Sequence, residues 1–190
     1  MGNIVFNNNG LSFESSKPSN LLRIYYPSKI YGNLAYSGLV GFNLGTNYNT
    51  SYPGYGQVYL RDNIALDNVN NDINPVSNIY DSDYNFFSNA GNLASMQGFG
   101  RDLHSLTGNP GVVNKNVVVN INFGVGWTLQ QKLDYIRNQV NSFFSLAPES
   151  QLINNGIIVS GYHCPTAGAN PSGCREWYGN APDIGVYEHS

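Results

Sequence analysis

Two aspartates, Asp81 and Asp83, stand two positions apart in a segment without helical periodicity, so both carboxylates would lie on one side of an extended chain. Oxygen ligands of this kind hold hard cations such as calcium, and Asn85 or main-chain carbonyls could complete such a site. The same residues have a plainer use, because Asp83 and Asn85 can cap turns by accepting from local backbone N–H groups. Cys164 and Cys174 flank a segment with Pro165, Gly168, Pro171 and Gly173, which reads as a loop. The pair is a disulfide pinning that loop, which would imply an oxidising compartment, or two free surface thiols. A metal site there has only His163 nearby and no second pair of ligands. His104, His163 and His189 are scattered, and no Ser-His-Asp or Cys-His set can be argued from the sequence. Tyr25, Tyr26, Tyr48, Tyr52 and Tyr55 cluster within one stretch. Aromatic faces stack on sugar rings, or on one another in cores and ladders.

The elements that must position these residues are short. The chain of 190 residues is long enough for one domain with a core. Only 11% of residues are charged, but 41% are hydrophobic and 13% aromatic, so apolar burial can offset the entropy of ordering. Asn is abundant and there are 21 Gly, a composition that turns often and favours many short strands over long helices. The net charge is −3 and no run of Lys or Arg occurs, which argues against a nucleic-acid partner. No apolar stretch approaches the roughly 20 residues of a membrane span. Met1-Gly2-Asn3-Ile4 lacks the basic start and apolar run of a secretory signal.

A repeat organises the first third of the chain. Gly2-Asn3-Ile4-Val5-Phe6, Gly32-Asn33-Leu34-Ala35-Tyr36 and Asp62-Asn63-Ile64-Ala65-Leu66 align at two equal spacings of 30 residues. In strands, alternate side chains face opposite ways, so Ile4, Phe6, Leu34, Tyr36, Ile64 and Leu66 are expected to point inward. Val5, Ala35 and Ala65 are then expected to point outward. Stacked coils would place Asn3, Asn33 and Asn63 above one another, with their amides hydrogen-bonded along the stack. Leu11–Phe13 and Gly41–Leu44 follow the repeats, while Leu22–Tyr26 and Gln57–Leu60 precede them, giving about three strands per coil. That is the layout of a parallel β-helix, and the matched spacing favours it over a β-sandwich of regular hairpins. Val69 to Asn78 reads as an Asn-rich loop, residues 88 to 116 as turn-rich, and Val117–Ile121 as a late strand. Leu129, Leu133, Ile136, Val140 and Phe143 recur at helical steps, with Thr128 as N-cap and a stop before Pro148. This helix is expected to cover the open end of the last coil.

The tail Ala181-Pro182-Asp183-Ile184-Gly185-Val186-Tyr187-Glu188 resembles the closing motif of many bacterial and archaeal right-handed β-helix proteins of the pectate-lyase-like superfamily. Asp81-Ser82-Asp83-Tyr84-Asn85 resembles the segment that follows their last regular coil, and Ser145–Ser150 with Asn154-Asn155-Gly156 resembles further parts of the same ending. The resemblance implies an all-β chain, a right-handed parallel β-helix with a C-terminal cap containing one α-helix. Residues 1–87 would form the last coils, of about 30 residues each, and 88–190 a C-terminal coil and capping region, with its helix near 128–145 and a loop at 164–174. It also implies a secreted or cell-surface parent with many coils upstream, of which this chain would be the C-terminal portion.

Polysaccharide lyases of this fold use a basic residue to take the proton beside a uronate carboxylate, which calcium or an arginine neutralises. Lys29 and Arg61 are the candidate bases, with Arg23 close to them. Asp62, Asp67, Asp72, Asp81 and Asp83 are the available carboxylates, and Asp81 and Asp83 the candidate calcium ligands. For Lys29 and Arg61 the plain alternative is a solvated outer face. Tyr25, Tyr26, Tyr52 and Tyr55 are the candidate substrate contacts. The expectation is therefore a protein that acts on or binds polysaccharide, uronate-type or other, with its catalytic part upstream and this segment mainly stacking and capping. The alternative is a non-catalytic glycan-binding or adhesin module. An open N-terminal coil edge would offer a further contact surface.

Overall fold

In a computed structural model the described residues are 4–6, 11–15, 28–44, 58–74, 81–112, 122–168 and 174–185. Ten short strands are followed by two helices: β1 (Ile4–Phe6), β2 (Leu11–Ser15), β3 (Ser28–Tyr31), β4 (Leu34–Tyr36), β5 (Val40–Leu44), β6 (Val58–Arg61), β7 (Ile64–Leu66), β8 (Asn71–Ile73), β9 (Asp81–Asp83), β10 (Phe86–Phe87), α1 (Ala90–Gly98) and α2 (Leu129–Phe144). They pair only in parallel, as three sheets: β1-β4-β7-β10, β2-β5-β8 and β3-β6-β9. Each strand lies on the one three positions earlier in the element order, so the chain winds as a right-handed parallel β-helix.

The register follows the sequence repeat. Ile4 pairs with Leu34 and Leu34 with Ile64. The stack then continues where the repeat fades, with a shorter step: Ile64 pairs with Phe86 and Tyr59 with Asp81. Asp81–Phe87 is thus part of another coil and not a segment beyond the last one. Asn71–Ile73, expected in a loop, is a strand on β5. The strand paired with β6 is Ser28–Tyr31. The run Leu22–Tyr26 lies outside the described residues, as do Asn3 and Val117–Ile121.

Corners between coils explain the conserved spacing within the repeat. Gly32, Asp62 and Tyr84 occupy one corner column with φ of 60°, 53° and 54°, each followed by a buried Asn. Asn33 Nδ2 donates to Asn63 Oδ1 at 2.9 Å, and Asn63 Nδ2 to Asn85 Oδ1 at 3.0 Å. The same oxygens accept the backbone N–H of Asn33 and of Asn63, both at 3.0 Å. Ser105 Oγ ends the ladder by accepting from the Asn85 N–H at 2.8 Å. The ladder exists because a chain turning inside a stack leaves N–H and C=O groups that no strand can satisfy.

The facing of the repeat residues is the reverse of the expectation. Ala35 and Ala65 point into the lumen, in one cluster with Phe42, Val58, Leu60, Ile73 and Phe87 from all three sheets. Leu34, Tyr36, Ile64, Leu66 and Phe86 point out of the solenoid, where Phe144, Leu146, Leu152 and Ile184 cover them. Both faces of this sheet are buried, so alternation shows which residues share a face but not which face is inside. Small residues on one wall make room for the Phe42 ring from another, and Phe87 succeeds them in the next layer of their own wall.

The two helices pack on different parts of the solenoid. α1, unexpected from the sequence, sends Leu93 and Met96 into the lumen cluster and closes its end. Asn89 caps its start, and Asn92 Oδ1 accepts from the Asp72 N–H at 2.7 Å, tying the helix to β8. With two buried apolar residues and Gly near each end, its periodicity is weak. α2 matches the expected span and carries the Thr128–Gln131 capping box. It does not cover the coil end: Phe144 packs edge-on against Tyr36 at 5.5 Å, while Leu129 and Leu133 remain exposed. The closing motif folds back on the outer face of the first sheet. Ile184 N–H donates to Leu152 O, Gly185 N–H to Asp62 O, and Gly185 (φ 118°) sits where a side chain would strike Ile64.

Candidate functional site

The outward face of β3-β6-β9 is polar and aromatic. Ile30, Val58, Leu60 and Ser82 turn toward the lumen, and the alternate residues form two rows across the layers. One row is Lys29, Tyr59, Asp81 and the other Tyr31, Arg61, Asp83. Parallel stacking therefore gathers both candidate bases and both candidate metal ligands, from three separate stretches of sequence, onto one surface.

Charges on this face are largely matched. Arg61 Nη2 donates to both oxygens of Asp81 at 2.6 Å, and Arg61 Nη1 lies 3.6 Å from Asp83 Oδ2. The guanidinium is committed to holding the aspartate pair, with its Cζ 5.9 Å from the centroid of the Tyr84 ring. Asp83 accepts from Tyr84 N–H at 3.0 Å and from His104 N–H at 2.7 Å, and its Oδ2 meets His104 Nδ1 at 2.7 Å. Its turn-capping use is thus present alongside its place on the face. Among the described residues no group of three or more His, Cys, Asp or Glu side chains is placed to share a metal ion. Lys29 is exposed.

Four aromatic rings frame these charges. Tyr31 and Tyr59 are half-buried in the sheet face. Burial raises the Tyr31 pKa above its ordinary value, helped by Asp81 and opposed by Arg61, so its hydroxyl stays protonated and able to donate. Tyr84 holds a left-handed backbone, an outlying conformation for a bulky residue, and stacks on His104 at 5.0 Å and 12°. Tyr162 leans over Tyr31 at 5.7 Å and forms a wall at the other end.

The wall is held by the C-terminal disulfide. Cys164 and Cys174 are bonded. Beside the bond, Cys164 N–H donates to Arg175 O and Arg175 N–H to Tyr162 O, both at 2.9 Å, and Trp177 Nε1 donates to Cys164 O at 2.8 Å. Tyr162 and Arg175 then fit against Gly32, where any side chain would collide with both. His163 behind them is fully buried, with Nδ1 accepting from Val159 N–H at 3.0 Å. Burial, and then Arg175, lower its pKa to about 4, so it is neutral at pH 7 and its 4.0 Å approach to Asp62 is not an ion pair.

Lys29, Arg61, Asp81 and Asp83 are thus brought together, and Cys164–Cys174 is paired, whereas Arg23, Tyr25, Tyr26, Tyr48, Tyr52 and Tyr55 lie outside the described residues. Sequence reasoning missed Tyr31, Tyr59, Tyr84, His104 and Tyr162. The first two carry a usable signal, since Lys29/Tyr59 and Tyr31/Arg61 repeat at the 30-residue spacing. His104 meets Asp83 across a 21-residue step that no repeat announces.

Comparison of the chain with protein-family models, with curated proteins and with solved structures finds no match. The β-helix assignment rests on the three parallel sheets and their repeating register, and it carries no specific family with it. Among the described residues no helix is long and apolar enough to cross a membrane.

Proposed function

We propose that this chain binds an extended polysaccharide along the outer face of β3-β6-β9, as part of a secreted or cell-surface β-helix. The observation that carries the reading is the display of Tyr31 and Tyr59 on a single parallel sheet, with Tyr84 at its corner, around the Arg61–Asp81–Asp83 network. Stacked layers lie about 4.8 Å apart, close to the advance per ring of an extended sugar chain, so successive rings can meet equivalent positions. Tyrosine offers an apolar face and a hydroxyl, and paired charges offer fixed donors and acceptors for sugar hydroxyls. The disulfide supports an oxidising compartment. Within this reading α1 and the closing motif serve to seal the solenoid and keep the face rigid.

Affinity electrophoresis against neutral and acidic polysaccharides, followed by titration calorimetry on those that retard the protein, tests the reading. Tyr59→Ala should cost about 1 kcal/mol, or roughly fivefold in Kd. Retardation by no polysaccharide, or unchanged affinity in Tyr59→Ala and Tyr31→Ala together, would remove the basis for it.

A second reading, lyase chemistry on a uronate polymer, draws on Lys29 standing exposed on the same face as the carboxylates. Lys29 would take the proton, and calcium at Asp81 and Asp83 would require those carboxylates to leave Arg61. Incubation with uronate polymers, with and without calcium, should then release unsaturated products absorbing in the near ultraviolet, and their absence on every polymer tried would exclude it.

A further inference from the structure

A lone surface histidine is usually free to rotate and unoriented. His104 is neither. Both oxygens of Asp83 hold it, one through its backbone N–H and one through Nδ1, each at 2.7 Å. The flat stack on Tyr84, at 12° between planes, sets the ring from the other side. A carboxylate only accepts, so Nδ1 carries the hydrogen and the neutral imidazole keeps its lone pair on Nε2. Nε2 makes no hydrogen bond to a described residue, and the side chain is 61% exposed. A base whose far nitrogen is oriented by a carboxylate, leaving the near nitrogen open, is the arrangement that acid–base catalysis uses. It stands one layer beyond Tyr84 and two beyond Arg61, at the end of the proposed sugar-binding face.

We propose that His104, oriented by Asp83, is a general base that activates water against acyl esters carried on the bound polysaccharide, an inference that rests on the glycan-binding reading. Ester hydrolysis is a reaction that this pair can serve with water as its only co-reactant. Nε2 takes a proton from water as the water oxygen attacks the acyl carbon. The tetrahedral oxyanion collapses, the bond between the acyl carbon and the sugar oxygen breaks, and the imidazolium returns its proton to that oxygen. The products are a free sugar hydroxyl and a carboxylic acid. The groups near the pair are Arg61 and Asp81 from the sheet and Tyr84 from the corner, with the buried Asp102 on its own segment close enough to feel the Asp83 charge. Arg61 and Asp83 position the base, and His104 is the group placed to touch the reacting water.

The test uses the full chain with two probes, 4-nitrophenyl acetate and an O-acetylated polysaccharide, and measures polysaccharide retention in parallel. Wild type should release acetate from both. His104→Gln should lose about 10²–10⁴-fold in kcat/KM. Added imidazole should restore part of the rate to His104→Ala, a rescue that a merely structural clamp would not show. Retention without acetate release by wild type, or a His104→Gln rate within twofold of wild type, would overturn the catalytic inference and leave the binding face standing. Loss of retention in wild type would overturn the binding reading instead, and the aryl ester would still decide the role of His104.

Discussion

Replacing Asn63 with alanine should unfold the solenoid more readily than any exposed Asn substitution, and the size of the effect can be worked from its contacts. Its Nδ2 donates to Ile30 O at 2.8 Å, Arg61 O at 2.9 Å and Asn85 Oδ1 at 3.0 Å. Its Oδ1 accepts from Asn33 N–H at 3.0 Å and Asn33 Nδ2 at 2.9 Å. A protein hydrogen bond contributes about 1 kcal/mol net, and a buried group deprived of its partner costs about 1–3 kcal/mol. Some partners have other bonds: Arg61 O also accepts from Gly32 N–H, and Asn33 Nδ2 also donates to Tyr31 O. The loss is therefore about 3–5 kcal/mol, a large share of the ~5–15 kcal/mol by which domains are stable. In urea, with a slope of about 2 kcal/mol per molar, the midpoint should fall by roughly 1.5–2.5 M. Asn70→Ala, at an exposed position, is the control and should shift it by less than about 0.3 M. If Asn63→Ala unfolds within about 0.5 M of wild type, the ladder is not what satisfies the corners.

Ala65→Leu should destabilise by about 1–3 kcal/mol or more, because three added carbons must enter the lumen beside Phe42 and Phe87; a neutral effect in the same urea titration would return Ala65 to the outside. Cys164→Ser with Cys174→Ser should cost about 3 kcal/mol, from the short loop that the bond closes. Near-ultraviolet circular dichroism should also register a looser Tyr162, and an unchanged midpoint and spectrum would show that the staple is dispensable. His163, whose folded pKa of about 4 lies below the ordinary 6.5, favours folding when neutral. Its contribution is complete above pH 6.5 and is lost as pH falls toward 4, up to about 3 kcal/mol. Asp72 and Asp102, with pKa values raised chiefly by burial, act in the opposite sense and favour folding as pH falls, so the His163 effect is read as the difference between wild type and His163→Gln. Parallel pH dependence in the two proteins would contradict the assignment.

What the sequence determined by itself was the winding. Equal spacing of Asn33 and Asn63, each before a short apolar run, specifies stacked coils, because only stacking lets identical corners satisfy one another. The Thr128 cap and the period of α2 were equally local, since a helix start is written in the residues that fill its open N–H groups. The Cys164–Cys174 pairing was one of the readings their spacing allowed, and the structure selects it. Facing was beyond local reach. The decision whether Ala65 or Ile64 points inward belongs to the tail, since Leu152 and Ile184 bury an outer surface that would otherwise meet water. The continuation of the stack at Asp81–Phe87 was hidden for a related reason: its coil is shorter, and the ladder survives the change of step because Asn85 reaches the same corner. The site was legible only in part. Asp81 and Asp83 share a face because strand geometry is local, but their engagement by Arg61 and His104 depends on register between coils. That register is a property of the stacked structure, and it brings Arg61, the aspartate pair and His104 from three coils onto one surface.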